Sequence, residues 1–229
     1  MEGLYDKEIT CPVCDQKYKT KKVKSAAVRI DKKDSDFCMH FKTVNPLYYS
    51  AYVCPHCGYS STEKNYEKIT NAQKSLVKNK ISARWNGKNY GGERSFDQTI
   101  EVHKLIMLNY KIMGYADSEM AKLCLKFAWF YRYQKDEESE ISYLKNSLMY
   151  FEKAYYSERL DEDPENELNI LYLMGDINKR LGEYSKAIGW FQMALQHEYL
   201  ATSKTMEKTI RDSWSETKEL SLEEKNKII

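Results

Sequence analysis

At 229 residues the chain has room for one large domain or two ordinary ones, and 42% hydrophobic with 31% charged residues is the composition of a soluble protein. Apolar runs are only a few residues long, as at Leu105–Leu108, far short of the roughly 20 needed to span a bilayer. No apolar signal core follows Met1, so a cytoplasmic protein with no membrane partner is expected. Thirty-six Lys+Arg against thirty-four Asp+Glu leave a net charge of +2, which singles out no class of partner.

Residues 1–62 read as a small module of short strands. Tyr18, Val23, Val28 and Ile30 are spaced among lysines as in half-exposed strands. Leu47 to Val53, after the Asn45-Pro46 turn, is the best strand candidate. Two hooks punctuate the module, Cys11-Pro-Val-Cys14 and Cys54-Pro-His-Cys57. Each places two sulfurs on one edge of a tetrahedron, which suits a metal held by four thiolates. In a reducing compartment such pairs are more often metal ligands or redox groups than structural disulfides. Gly58 follows the second hook where a left-handed residue is needed, and Asp15 takes that place in the first as a poorer substitute. A layout of strand, hook, strand, hook is that of a zinc ribbon, and about sixty residues bury too little apolar surface to fold securely without the metal.

Residues 63–94 are expected to connect this module to a helical region. Ser61-Thr-Glu-Lys signals a helix start with Thr62 as its cap, and the helix should run to about Trp85. Asn86-Gly87 and Gly91-Gly92 then break the chain. From 95 to 229 the helical period is strong: Phe96, Ile100, His103, Met107 and Tyr110 recur at steps of four and three, as do Ile141, Leu144, Leu148, Phe151 and Tyr155. Breaks at Gly114, Gln134–Glu138, Asp161–Pro164 and Gly182 predict an antiparallel helical array. The expected fold class is therefore mainly α, with a small zinc-ribbon-like β module at the N-terminus.

Within the array, Gly175, Gly182, Tyr184, Ala187, Phe191 and Ala194 fall at the offsets of one tetratricopeptide repeat. Leu171 stands where that consensus prefers Trp, and Asn178 where it prefers Tyr. A weaker copy runs from Ala128 to Phe151 and Ala154, with a longer interval between its helices.

Several blocks together, among them Thr10-Cys-Pro-Val-Cys14, Asp34-Ser-Asp-Phe-Cys38, Asn45-Pro-Leu-Tyr48, Val53-Cys-Pro-His-Cys-Gly-Tyr59, Gly92-Glu-Arg94, Ala128-Trp129 and Leu171-Tyr-Leu173, resemble a family of uncharacterised bacterial proteins common in Firmicutes. That family is classed as a domain of unknown function. The resemblance implies an N-terminal zinc-ribbon-like segment, C-terminal tetratricopeptide-like helices and a metal site. It implies no reaction.

Cys11, Cys14, Cys54 and Cys57 are thus the candidate metal ligands, for one zinc per chain or alternatively iron. Cys38, in Cys38-Met-His40, could be an accessory ligand, a reactive thiol or a buried small residue. Cys124 and His103 lie on apolar helical faces and are expected in the core. No nucleophile and base stand at a catalytic spacing, so no enzyme is expected.

Two partner surfaces suggest themselves. Lys17 to Lys33 holds eight cations against one anion, and Lys21, Lys22 and Lys24 with Tyr48 and Tyr52 could contact a nucleic acid. Alternation would set Tyr48 and Tyr52 on one strand face. The plainer reading is a solvated edge protected from aggregation. Tyr131, Tyr143, Tyr150 and Tyr155 suggest an aromatic groove for a protein or peptide partner, or ordinary packing. The expectation is a metal-stabilised adaptor. The alternatives are a nucleic-acid-binding protein or a thiolate-metal redox protein.

Overall fold

Alternation along Lys17-Tyr-Lys-Thr-Lys buries Tyr18 and Thr20 while Lys17 and Lys19 face solvent, as a half-buried strand requires. The computed structural model describes residues 3–228. Three two-stranded antiparallel ribbons open the chain: β1 (Leu4–Thr10) with β2 (Lys17–Val23), β3 (Ile30–Lys33) with β4 (Met39–Phe41), and β5 (Ala51–Val53) with β6 (Ser60–Thr62). The register runs from Leu4 opposite Val23 to Thr10 opposite Lys17, and from Ala51 opposite Thr62 to Val53 opposite Ser60. Each of these two ribbons therefore closes on one of the cysteine hooks.

Seven α-helices come next among the described residues: α1 (Asn71–Lys80), α2 (Phe96–Met113), α3 (Asp117–Tyr133), α4 (Glu137–Ser157), α5 (Pro164–Arg180), α6 (Tyr184–Gln196) and α7 (Lys204–Ile228). The fold is mainly helical, with small antiparallel strand pairs ahead of a helical array. No described helix is long and apolar enough to cross a membrane.

Two local expectations are corrected. Leu47–Val53 is not one strand: Pro46–Tyr49 forms a turn of 3-10 helix, and only Ala51–Val53 is extended. The cause is local, since the Asn45 side chain accepts from the Leu47 N–H at 2.9 Å and Pro46 presets the first turn. The helix expected from Thr62 begins at Asn71. Thr62 ends β6 and makes no cap bond, whereas Thr70 and Gln73 form a reciprocal capping box.

The chain divides into two compact units. The first comprises the residues up to Asp34 together with Met39–Tyr115. It includes α2, which the periodicity groups with the later helices. The physical reason is polar: Asn109 accepts from the Ser60 N–H at 3.2 Å, and the Tyr110 hydroxyl sits 3.2 Å from Ser61 Oγ, 3.0 Å from Thr62 Oγ1 and 3.1 Å from the Asn65 amide. These bonds satisfy buried groups of β6 that would otherwise be costly. A capping box at Ser95 and Gln98 starts α2, and Gly114 at φ 66° ends it.

The second unit comprises Ser35–Cys38 and the chain from Ala116 onward. Here α3 packs on α4, α4 on α5, α5 on α6 and α6 on α7. Leu125, Leu144, Phe151, Leu171, Met174, Ile177, Phe191 and Ile210 fill its core. Asp136 and Asp163 cap α4 and α5, with Pro164 at the first turn of α5. A Cβ on Gly175 would stand 2.5 Å from the Phe191 ring, so only glycine lets α5 and α6 approach this closely.

Candidate metal centre

The two hooks are built alike. In the first, the Cys11 N–H donates to the Gln16 carbonyl at 3.0 Å and the Asp15 N–H to the Cys11 carbonyl at 2.9 Å. In the second, the Cys54 N–H donates to the Tyr59 carbonyl and the Gly58 N–H to the Cys54 carbonyl, both at 2.9 Å. The residue after each second cysteine is left-handed, Asp15 at φ 59° and Gly58 at φ 74°, as the spacing requires. Each ribbon thus turns its strand ends so that two sulfurs face the same way.

The ribbons bring the four sulfurs together. Cys11 and Cys57 lie 3.6 Å apart, as do Cys14 and Cys54, and all four sulfurs fall within 4.8 Å of one another. Metal–sulfur bonds of about 2.3 Å would separate the sulfurs of a tetrahedron by about 3.8 Å. The cluster therefore has a donor set and a size that could hold one metal ion. Cys11 and Cys54 are wholly buried and Cys57 nearly so, while Cys14 is partly exposed; four sulfurs suffice for a four-ligand site with no open position. Hydrogen bonds from Cys54 and Cys57 pull Cys11 far below the ordinary thiol range, and the same bond to Cys11 pushes Cys54 up to about 12. Cys57 is driven up as well, by Cys11 first and Cys54 next. Without a cation such a cluster favours one thiolate, and a divalent metal is what lets several coexist.

Covering groups fix the second hook. Trp85 donates from Nε1 to the Pro55 carbonyl at 2.8 Å, and Ser82 donates to the Cys57 carbonyl at 2.8 Å. A Cβ on Gly58 would meet the Trp85 ring at 2.7 Å. Beside the cluster, Tyr18 donates to the Tyr66 hydroxyl and Tyr59 to the Tyr66 carbonyl, each at 2.8 Å. Burial pushes all three phenols up, so they stay neutral donors.

The remaining sequence candidates are placed differently. Cys38 is not one of the clustered sulfurs; it belongs to the second unit, is buried, and its thiol donates to the Tyr133 hydroxyl at 3.5 Å. His56, between the cysteines of the second hook, is exposed. Cys124 is buried in α3, and His103 is buried in α2 with Nδ1 2.8 Å from the Thr99 carbonyl.

Part of the basic segment is paired within its own unit. Lys21 pairs with Asp6 at 3.0 Å, Lys17 with Glu8 at 3.2 Å, and Lys22 with Glu63, while Lys24 is exposed. Tyr52 is 3% exposed: its hydroxyl donates to Glu63 at 2.8 Å and Tyr66 meets its ring edge-on at 5.2 Å. Tyr48 lies in the 3-10 turn and not on the strand, so Tyr48 and Tyr52 do not form one stacking face.

The helical tyrosines take part in several separate ring contacts. Tyr131 stacks on Tyr143 at 5.4 Å and Tyr143 on Phe127 at 4.7 Å. Tyr155 instead packs edge-on against Trp190 at 5.5 Å, about 18 Å further along α4 than Tyr143 at 1.5 Å rise per residue. Tyr150 lies beneath the Lys153 ammonium at 5.5 Å.

Sequence reasoning missed a second polar cluster, centred on Asp36 in the second unit. This carboxylate is wholly buried, receives both terminal nitrogens of Arg132 at 2.9 and 2.7 Å, and accepts from Trp129 Nε1 at 3.0 Å. Arg180 approaches at 3.5 Å. Asp36 and Arg132 are 96 positions apart, and no local pattern joins them.

Fold and site together define a class: a mainly helical protein whose N-terminal short strands gather four cysteines that could hold a metal ion. The chain belongs to the family described as an uncharacterized protein conserved in bacteria (DUF2225), whose model matches residues 4–217. An uncharacterized protein of Borreliella burgdorferi is similar to it, 24% identical over 199 residues that cover 76% of this chain and 71% of the relative. No solved structure matches.

Proposed function

We propose that this protein is a non-catalytic adaptor of the bacterial cytoplasm, in which one zinc ion held by Cys11, Cys14, Cys54 and Cys57 pins the first unit and the second unit receives a protein or peptide partner. The observation that carries the metal half is the four-sulfur cluster, 3.6 Å across its closest pairs and within 4.8 Å overall. Four sulfurs, three of them buried and Cys14 partly exposed, fill every position of a tetrahedron, which favours a structural ion over a catalytic one. Bound there, the ion would supply cross-linking of two ribbons that are too small to hold their own core.

The partner half rests on the helical array. Gly175 beneath Phe191, with buried Ala187 and Ala194, supports reading α5 and α6 as a tetratricopeptide-like pair, and such pairs commonly present a peptide-binding face. The nucleic-acid alternative draws less support, because Lys21 and Lys22 are already paired and Tyr52 is buried.

Elemental analysis with a visible spectrum tests the metal half, since thiolate-bound ferric iron is coloured and zinc is not. Photo-crosslinkers at exposed Met149 and Tyr156 of α4 test the partner half. One recurrent adduct in the cells of origin supports it, and none from either position counts against it.

A further inference from the structure

Residues Ser35–Cys38 are held by the second unit in the way a bound peptide is held. Within the turn, the Cys38 N–H donates to Asp36 Oδ1 at 3.3 Å. Its other polar groups are read by side chains of α3 and α5. The Asp36 carboxylate takes the fork of Arg132 at 2.9 and 2.7 Å, the Trp129 indole N–H at 3.0 Å and Arg180 at 3.5 Å. Tyr172 donates its hydroxyl to the Ser35 carbonyl at 2.9 Å, and Arg180 reaches Ser35 Oγ at 3.3 Å. The Phe37 ring lies on Tyr172, centroid to centroid 5.3 Å.

Both arginines are oriented beforehand. Glu140 accepts from Arg132 Nε at 2.7 Å, and Asp176 accepts from Arg180 Nε at 3.1 Å. Each guanidinium is thereby fixed through Nε; Arg132 turns both terminal nitrogens toward the Asp36 carboxylate, and Arg180 turns one toward Asp36 and Ser35. Bidentate Arg pairing of this kind selects a carboxylate by geometry as well as by charge. Phe37 meanwhile adopts φ 67°, a conformation a non-glycine residue keeps only when its surroundings hold it. The turn is shaped both by its own Asp36–Cys38 bond and by the side chains of the site.

We infer that Trp129, Arg132, Tyr172 and Arg180 form a recognition site for a short Asp-aromatic peptide segment, occupied in this chain by its own Asp36 and Phe37. The inference goes beyond the adaptor reading and does not depend on it, because it concerns what the site recognises whether or not an outside partner exists. A free segment with the same carboxylate and ring is the class of ligand that would displace the turn. Because the resident turn is tethered, it competes at an effective concentration on the order of millimolar, so displacement needs comparable peptide.

The test uses the full chain carrying Asp36→Ala and Phe37→Ala, and a fluorescent peptide of the sequence of residues 33–40 with serine in place of the cysteine. The expected result is binding at least tenfold tighter than to the unsubstituted chain. Binding should fall by a further tenfold or more when the peptide's second aspartate is replaced by asparagine, or when Arg132→Ala is added to the protein. If the variant has normal helical circular dichroism and binds neither peptide, or both equally, the inference is overturned. If the variant does not fold, hydrogen exchange of the unsubstituted chain decides. Faster exchange at 35–38 with about 10 mM peptide, and not with its asparagine form, supports the site; unchanged exchange at that excess over the tether's effective concentration overturns it.

Discussion

Asp15 and Gly58 occupy the same place in the two hooks, each donating its N–H to the carbonyl of the first cysteine and each at positive φ, 59° and 74°. The equivalence sets which backbone each hook needs. It also shows that the two are not equally at ease, since a side chain in the left-handed region costs about 1–2 kcal/mol, less for Asp. Asp15→Gly should therefore leave stability unchanged or raise it by up to about 1 kcal/mol. Gly58→Ala should lower it by at least about 1–2 kcal/mol, from the backbone and from the 2.7 Å approach to Trp85. Thermal melts of the two metal-loaded variants check the order; Gly58→Ala melting at or above the parent would break it.

Cys11→Ser or Cys54→Ser removes one ligand from a centre whose hooks share no other covalent link. Limited proteolysis should then cut within the first unit while α3 to α7 survive as a resistant fragment. Proteolysis of the first unit unchanged from the parent would show that its core folds without the centre.

The buried charge at Asp36 makes a prediction about acid. Burial alone would raise its pKa, but hydrogen bonds from Arg132, the charges of Arg180 and Arg132 and the Trp129 bond together hold it below the ordinary carboxylate range. A group with a depressed folded pKa contributes stability above its unfolded pKa, about 3.9, and loses it as pH falls through the folded value. Asp36→Asn should cost about 3–5 kcal/mol at pH 7, because Arg132 is left facing a neutral amide, and the gap from the parent should close only below about pH 4. Glu140 and Asp176, which hold the two arginines, contribute alike in both proteins. Urea titrations of the pair at pH 7, 5 and 3 read the difference, and loss of metal in acid cancels between them. A gap that closes between pH 7 and 5 would contradict the account.

Gly175→Ala forces a methyl to 2.5 Å from Phe191 in a packed helical pair. Overpacking of this kind typically costs about 1–3 kcal/mol. Phe191→Leu in the same chain should restore part of the loss, and a double-mutant cycle with no coupling would exclude direct contact as the cause.

What could be read from the sequence was the chemistry that is local in the chain. Two cysteines three positions apart, a proline between them and a left-handed residue after them specify a hook without any knowledge of the fold. The helix-breaking segments around Gly114, Gln134, Pro164 and Gly182 were equally legible, because caps and left-handed residues act within one turn. Thr70-Asn-Ala-Gln73 carries the capping box that starts α1, a signal as local as the one at Ser61-Thr-Glu-Lys. Tyr48 and Tyr49 carry strand propensity, yet the Asn45-Pro46 turn overrides it. The grouping of α2 with the cysteine unit depends on Asn109 and Tyr110 meeting residues 45 to 49 positions away. The Asp36 cluster spans still more of the chain, so neither was visible in a window of sequence.

The central claim is a structural metal at the four sulfurs, and metal content tests it most directly. Untagged protein purified without chelator should contain about one zinc per chain and show no visible absorption. A Cys54→Ser variant should hold much less. Protein that carries no metal, or that carries stoichiometric iron with thiolate charge-transfer bands, would contradict the account.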